Sequence, residues 1–247
     1  MDLGIKGKVV AITGGGGAIG STTARMFAEE GAKVALLDIN REGAEAAAAE
    51  IAAAGGTAIG LEVDILDKAA VTSAFARAEA ELGPIDVLVN NAGFSRDKYM
   101  TKMEESDWDI VHGVVLKGTF HCCRAVLPGM MQRRWGRIVN ITSMSYQGNA
   151  GQTNYSSAKA GLVGLTAALA REAGPFNITV NAVAPALVAT PRLRARKDFD
   201  KLEQRSKALT PLPRLSIPED IAKAVIFHAS SMADFVSAQV MHVSGGR

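Results

Sequence analysis

The chain has 247 residues, and its 27 Lys+Arg against 25 Asp+Glu leave a formal charge of +2 with the histidines neutral. That balance argues against a nucleic-acid surface, which carries a clear basic excess. With 48% hydrophobic and 21% charged residues, the composition excludes disorder as the overall state and can fill a sizeable core. Cys122 and Cys123 are adjacent, so they form no disulfide framework, and a reducing compartment is expected. The start of the chain, with an acid at Asp2 and no apolar run before Lys8, does not read as a signal peptide, and no uninterrupted apolar stretch reaches the roughly 18 residues of a membrane span. A cytoplasmic protein without a membrane or nucleic-acid partner is the expectation.

Lys8 to Thr13 is a short apolar, β-branched run that stops at four consecutive glycines, and Ala18 to Glu30 then reads as a helix ended by Gly31. Lys33 to Asp38 is the next strand, and the Ala-rich stretch Arg41 to Ala54 is a helix closed by Gly55-Gly56. A strand at Thr57 to Val63, a helix from Asp67 to Leu82 and a strand at Ile85 to Asn90 continue the alternation. One long helix is predicted from about Ser106 to Arg133, bent or broken by Pro128 and Gly129 near its end, before a strand at Arg137 to Ile141. A helix over Thr153 to Gly174, a strand at Ile178 to Ala184, a charged segment at 191–215, a helix opening at Ile217-Pro218-Glu219 and a strand at Gln239 to Val243 complete the chain. Continuous apolar strands separated by helices imply an α/β fold: one domain over 1–247, a doubly wound parallel sheet of seven strands with helices on both faces.

Thr13-Gly14-Gly15-Gly16-Gly17-Ala18-Ile19-Gly20 follows a strand and opens a helix, so its backbone can approach a pyrophosphate on the helix N-terminus. Gly15, Gly17 and Gly20 satisfy G-x-G-x-x-G, whereas Ser21-Thr22 stand where a P-loop needs Lys then Ser or Thr. Asp38 ends the second strand 18 residues past Gly20, where a carboxylate can accept from both ribose hydroxyls and repel a 2′-phosphate. NAD is the cofactor this predicts. Tyr155 and Lys159 stand four apart on one helical face, so an ammonium there can lower the phenol from its usual value of about 10. The upstream run Asn140-Ile141-Thr142-Ser143 can place a hydroxyl beside it.

Thr13-Gly14 with Gly20, Asp38, Asp64, Asn90-Asn91-Ala92-Gly93, Ser143, Tyr155 with Lys159, and Pro185 with Thr190 resemble the short-chain dehydrogenase/reductases over essentially the whole chain. Arg96-Asp97, Lys102-Met103, Gly118-Thr119-Phe120 and Gly245-Gly246 are similar to the branch containing 3-oxoacyl-[acyl-carrier-protein] reductases. The resemblance implies Tyr155 as general acid/base, Lys159 on the nicotinamide ribose, and Ser143 polarising the substrate carbonyl, with Ser145 as an alternative. It implies that Gly14, Gly16, Ala18, Ile19, Gly20, Asp38, Asp64, Ile65, Asn91, Ala92, Gly93, Pro185, Val188 and Thr190 join Tyr155 and Lys159 in binding the cofactor, with Asn90 beside them. Asp64 would meet the adenine, and Val188 and Thr190 the carboxamide. A homotetramer is also implied.

Three positions depart from the family pattern: Ala18 replaces a glycine of the turn, Ala186 follows Pro185 in place of glycine, and Val115 stands where the family carries a fourth catalytic residue, an Asn. A proton shuttle through His112, three residues earlier on the same helix, is one replacement; an unassisted water path past Lys159 and a helix bulge that brings a main-chain carbonyl into place are the others. The four histidines fall outside metal-ligand spacing, so no metal is expected. Met100, Met103, Met130, Met131 and Met144 read as core first and pocket second. The stretch from Arg192 to Arg214 holds eight Lys/Arg against three Asp/Glu, a solvated lid or a site for an anionic substrate. The function expected is interconversion of a secondary alcohol and a ketone with NAD(H); the alternative is a nucleotide-binding regulatory protein that lost turnover, which Val115 would favour.

Overall fold

A computed structural model describes residues 2–247. Its strands are β1 (Val9–Thr13), β2 (Lys33–Asp38), β3 (Thr57–Glu62), β4 (Val87–Asn90), β5 (Gly136–Ile141), β6 (Ile178–Pro185) and β7 (Val240–Val243). All pair in parallel in the order β3-β2-β1-β4-β5-β6-β7. The order reverses beside β1, and a crevice opens there at the carboxyl ends of β1 and β4.

The inner strands β1, β4, β5 and β6 are buried along their whole length because both sides are covered. Val10 and Ile12 of β1 enter one core with Ala24 and Phe27 of helix α1 (Ala18–Glu29), Ala44 and Ile51 of α2 (Arg41–Ala53) and Ile221 and Val225 of α9 (Pro218–Ala229). Val9 and Ala11 enter the other, with Val71 and Phe75 of α3 (Lys68–Leu82) and Cys122, Val126 and Met130 of α5 (Thr119–Arg133). This is the doubly wound α/β sheet with alternating side chains feeding two cores. Both cysteines are free and buried.

The predicted long helix departs from expectation. It is α4 (Glu105–His112), a π-helical turn over Gly113–Gly118, then α5, and Pro128 stays inside α5 without ending it. The irregularity falls between two glycines that face the β3–α3 loop: a Cβ at Gly118 would stand 2.6 Å from Ile65 Cγ1, and one at Gly113 3.2 Å from Leu66 Cδ2. By length and composition Glu105–Arg133 would suffice to cross a membrane, but Val111, Val115, Cys122, Val126 and Met130 along it are buried in the protein core.

α6 (Thr153–Ala173) carries Tyr155 and Lys159 and lies on the π turn, where a Cβ at Gly161 would meet Leu116 at 3.0 Å. Asn90 donates to Asn140 Oδ1 at 2.8 Å and Asn140 to Thr166 Oγ1 at 2.9 Å, a buried chain that ties β4, β5 and α6 together. The charged segment folds as α7 (Pro191–Arg194) and α8 (Phe199–Leu209).

Candidate active site

Gly14, at φ +65°, turns the chain out of β1 in a conformation that favours glycine. Gly17 then opens α1 with no side-chain cap and no acid in the first turn, so the first-turn N–H groups face the crevice unclaimed by a side chain. Bare amides at the positive end of a helix dipole fit a pyrophosphate. Ala18 and Ile19 line the cleft with Gly14 and Gly17. Gly16 and Gly20 do not line it. A Cβ at Gly16 would stand 2.8 Å from the Gly43 carbonyl carbon, and one at Gly20 would collide with the Gly14 carbonyl. Both glycines permit close packing of the turn.

Asp38 has two duties. Its Oδ2 accepts from the Gly16 N–H at 2.9 Å and its Oδ1 from the Asn40 N–H at 2.9 Å, so the carboxylate fixes the glycine turn while lining the cleft. Arg41 is held by Glu45 at 2.7 Å and does not line the cleft. Asn91 also braces the turn, donating to the carbonyls of Thr13 at 3.0 Å and Gly14 at 3.1 Å. Asn90, expected at the cofactor, is instead 3% exposed and spent on Asn140 inside the sheet.

The cleft, about 740 Å³, continues past Asp64, Ile65, Ala92 and Gly93 to Ser143, Tyr155, Lys159, Pro185, Val188 and Thr190. Thr190 also caps α7, accepting from the Leu193 N–H at 3.2 Å. Sequence reasoning missed the apolar walls Val63, Leu66, Ile110 and Val114. Their only signal was hydrophobicity, shared with every core residue.

Tyr155 packs with Val111, Val115, Ala158 and Leu162 in a small cluster between the π turn and α6. Burial raises its phenol to about 12, opposed by a hydrogen bond from Ser143 and reinforced by the charge of Asp97. Lys159 is fully enclosed; burial lowers it to about 7, and its Nζ donates to the Ile141 carbonyl at 2.5 Å. Its Nζ lies 5.5 Å from the Tyr155 ring centroid. Lys159 does not figure among the causes acting on the phenol; loss of water dominates both groups, in opposite directions. Ser143, not Ser145, is the hydroxyl at the phenol: the Ser145 hydroxyl donates to Gln152 Oε1 at 2.9 Å.

The His112 shuttle is not supported. Its Nδ1 bonds the Trp108 carbonyl at 3.0 Å and its Nε2 the Ser157 hydroxyl at 3.0 Å. Ser157, two residues from Lys159, projects from a different face of α6. Val115 sits close to the lysine, since a Cβ built at Gly93 would meet Lys159 Nζ at 3.3 Å and Val115 Cγ2 at 3.6 Å.

A sheet with this switch point, a bare helix N-terminus and a Ser-Tyr-Lys wall define a nicotinamide-dinucleotide oxidoreductase. A family model described as enoyl-(acyl carrier protein) reductase matches residues 16–247. The chain is 44% identical to (2S)-[(R)-hydroxy(phenyl)methyl]succinyl-CoA dehydrogenase subunit BbsD of Thauera aromatica, covering 99% of this chain and 98% of the relative. It is 41% identical to short-chain reductase protein NovJ of Streptomyces niveus, covering 97% and 93%. It is 40% identical to 3-oxoacyl-[acyl-carrier-protein] reductase FabG of Aquifex aeolicus, covering 100% and 99%. The chain belongs to the short-chain dehydrogenase/reductase family, in the branch similar to 3-oxoacyl-[acyl-carrier-protein] reductases.

Proposed function

We propose that the protein exchanges hydride between NAD(H) and a secondary alcohol/ketone pair, with Tyr155 as general acid and base. The observation that carries this reading is the single cleft that joins the glycine turn and Asp38 to Ser143, Tyr155 and Lys159. When bound, the nicotinamide would donate or accept the hydride. The Gly14–Ile19 turn, braced by Asn91, would hold the phosphate end and Asp38 would receive the ribose hydroxyls, while Val188 and Thr190 border the far end of the cleft.

In the reducing direction the Tyr155 phenol, protonated at neutral pH, and the Ser143 hydroxyl both donate to the carbonyl oxygen. Tyr155 gives up its proton as negative charge develops on that oxygen. Lys159, with its pKa lowered to about 7, takes up a proton near neutrality and stabilises the phenolate left behind. The reverse sequence removes the hydroxyl proton of an alcohol. A regulatory protein without turnover has Val115 in its favour; the complete Ser143, Tyr155 and Lys159 set counts against it.

NAD rather than NADP is supported by the Asp38 carboxylate and by Arg41 being engaged with Glu45. The relatives' names, a succinyl-CoA dehydrogenase and an acyl-carrier-protein reductase, favour an acyl chain carried as a thioester. The exposed Phe120 and Phe235, with the unpaired outer edge of β7, support a homotetramer, and two free buried thiols support a cytoplasmic location. Asp38→Asn tests the cofactor choice, because Asn keeps an oxygen for the Gly16 N–H and removes the charge. The native protein should bind NADH at least about tenfold more tightly than NADPH by fluorescence titration, and the variant should narrow that gap. Equal native affinities would refute NAD specificity.

A further inference from the structure

Gln152 stands at the N-cap of α6, yet its side chain bonds none of the helix's first N–H groups. It reaches two loops instead. Its Oε1 accepts from Ser145 Oγ and Asn149 Nδ2, both at 2.9 Å, and its Nε2 donates to the two Asp97 oxygens at 3.0 and 3.1 Å. A carboxylate only accepts, so Asp97 decides which way the amide faces, and the amide in turn makes the Ser145 hydroxyl a donor. Ser145 belongs to the turn that opens at Ser143. Its N–H donates to Ser143 Oγ at 3.1 Å, which leaves the Ser143 proton for the phenol or for a substrate oxygen. The first turn of α6 holds the Asp97 loop at a second point: Asn154, fully buried, donates to the Arg96 carbonyl at 3.0 Å and the Asp107 carbonyl at 3.1 Å, and its Oδ1 accepts from the Tyr155 N–H at 2.7 Å.

We infer that Gln152 is a positioning residue: oriented by Asp97, it locks the Ser143 turn against the start of α6 and so sets the approach of the Ser143 hydroxyl to the Tyr155 phenol. This rests on the oxidoreductase reading above for the use made of that approach. Gln152 also borders a chamber of about 410 Å³ beyond Tyr155, with Met144, Gln147 and Leu187. It is not a group that recognises substrate there. Both lone pairs of its Oε1 are filled and its Nε2 faces a carboxylate, so a bond to substrate would have to replace one already made.

The hydrogen-bonded pair can be broken and then exchanged. Gln152→Met removes the amide without adding charge. Gln152→Glu sets two carboxylates face to face, and adding Asp97→Asn returns a donor to the pair while the carboxylate at 152 still accepts from Ser145 and Asn149. The charge of Asp97 raises the phenol, and the double variant keeps one negative charge in the pair. Each protein is prepared with tyrosine isotopically labelled at Cζ for NMR, and the Tyr155 signal is identified by its loss in Tyr155→Phe. Gln152→Met should move that signal in the same direction as Ser143→Ala does. Both single variants at Gln152 should lower kcat for reduction of methyl acetoacetate by NADH at least about tenfold, with KM within about twofold, and the double variant should recover most of the loss that Gln152→Glu causes. A Tyr155 signal indifferent to Ser143→Ala or to Gln152→Met, a double variant no better than Gln152→Glu, or a raised KM at constant kcat would overturn the proposal, the last by making Gln152 a substrate contact. Absence of turnover in the native protein counts against the oxidoreductase reading, while the Tyr155 signal, recorded without substrate, still decides Gln152.

Discussion

Below about pH 7 the folded protein holds a charged Lys159 where water cannot reach it, because burial lowers that group from 10.5 to about 7. The sign follows from proton counting. Between pH 7 and 10.5 the unfolded chain binds a proton at Lys159 that the folded chain lacks, so the cost is full below the folded value and fades as pH rises toward the unfolded one. Lys159→Met removes the titration. The variant's stability advantage over the native protein should be largest near pH 6 and should shrink by roughly 2–3 kcal/mol by pH 9, read from urea midpoints. A gap that does not change with pH would mean the lysine is solvated in solution. Lost bonding to the Ile141 carbonyl contributes an offset at every pH and leaves the slope intact.

Between elements, the tightest approach is made where a side chain is missing. Gly60 of β3 lies against α2, where a Cβ would stand 2.6 Å from the Ala44 carbonyl carbon, and it pairs with Leu36 across the sheet. Backbone cannot yield as a flexible side chain would, so Gly60→Ala should cost about 1–3 kcal/mol as a lowered urea midpoint with an unchanged slope. An unshifted midpoint would show that α2 slides freely on the sheet. Gly60 drew no notice in the sequence because an isolated glycine in a strand has several meanings. The strands themselves were legible, since Lys33–Asp38 and its neighbours are apolar on both faces and closed by turns. The break at Gly113–Gly118 entered only as an alternative, a bulge near Val115: Pro128 carried the obvious signal for a bend, while Ile65 and Leu66 approach Gly118 and Gly113 from a distant loop. Likewise, spacing placed Tyr155 and Lys159 on one face, but the direction of their pKa shifts depended on enclosure by Val111, Val115 and Leu162. Asn90 and Asn91 differ by one position, and the alternation of β4 sends only the second toward the cleft.

For the whole molecule, the balanced charge and the apolar sheet matter less than the alignment of two half-sites, a dinucleotide cradle at β1–β2 and a Ser143-Tyr155-Lys159 wall at β5–α6, along one crevice. The central claim is that hydride moves along that crevice from NADH to a ketone while Tyr155 supplies the proton. The direct test is isotopic. NADH deuterated at both C4 positions of the nicotinamide is mixed with equal unlabelled NADPH and with acetoacetate, methyl acetoacetate and acetoacetyl-CoA in turn, and the alcohol is analysed by mass spectrometry. The native protein should place deuterium on the new carbinol carbon, and Tyr155→Phe should form at least about a hundredfold less alcohol. An unlabelled alcohol, no alcohol from any of the three, or undiminished product from Tyr155→Phe would contradict the account.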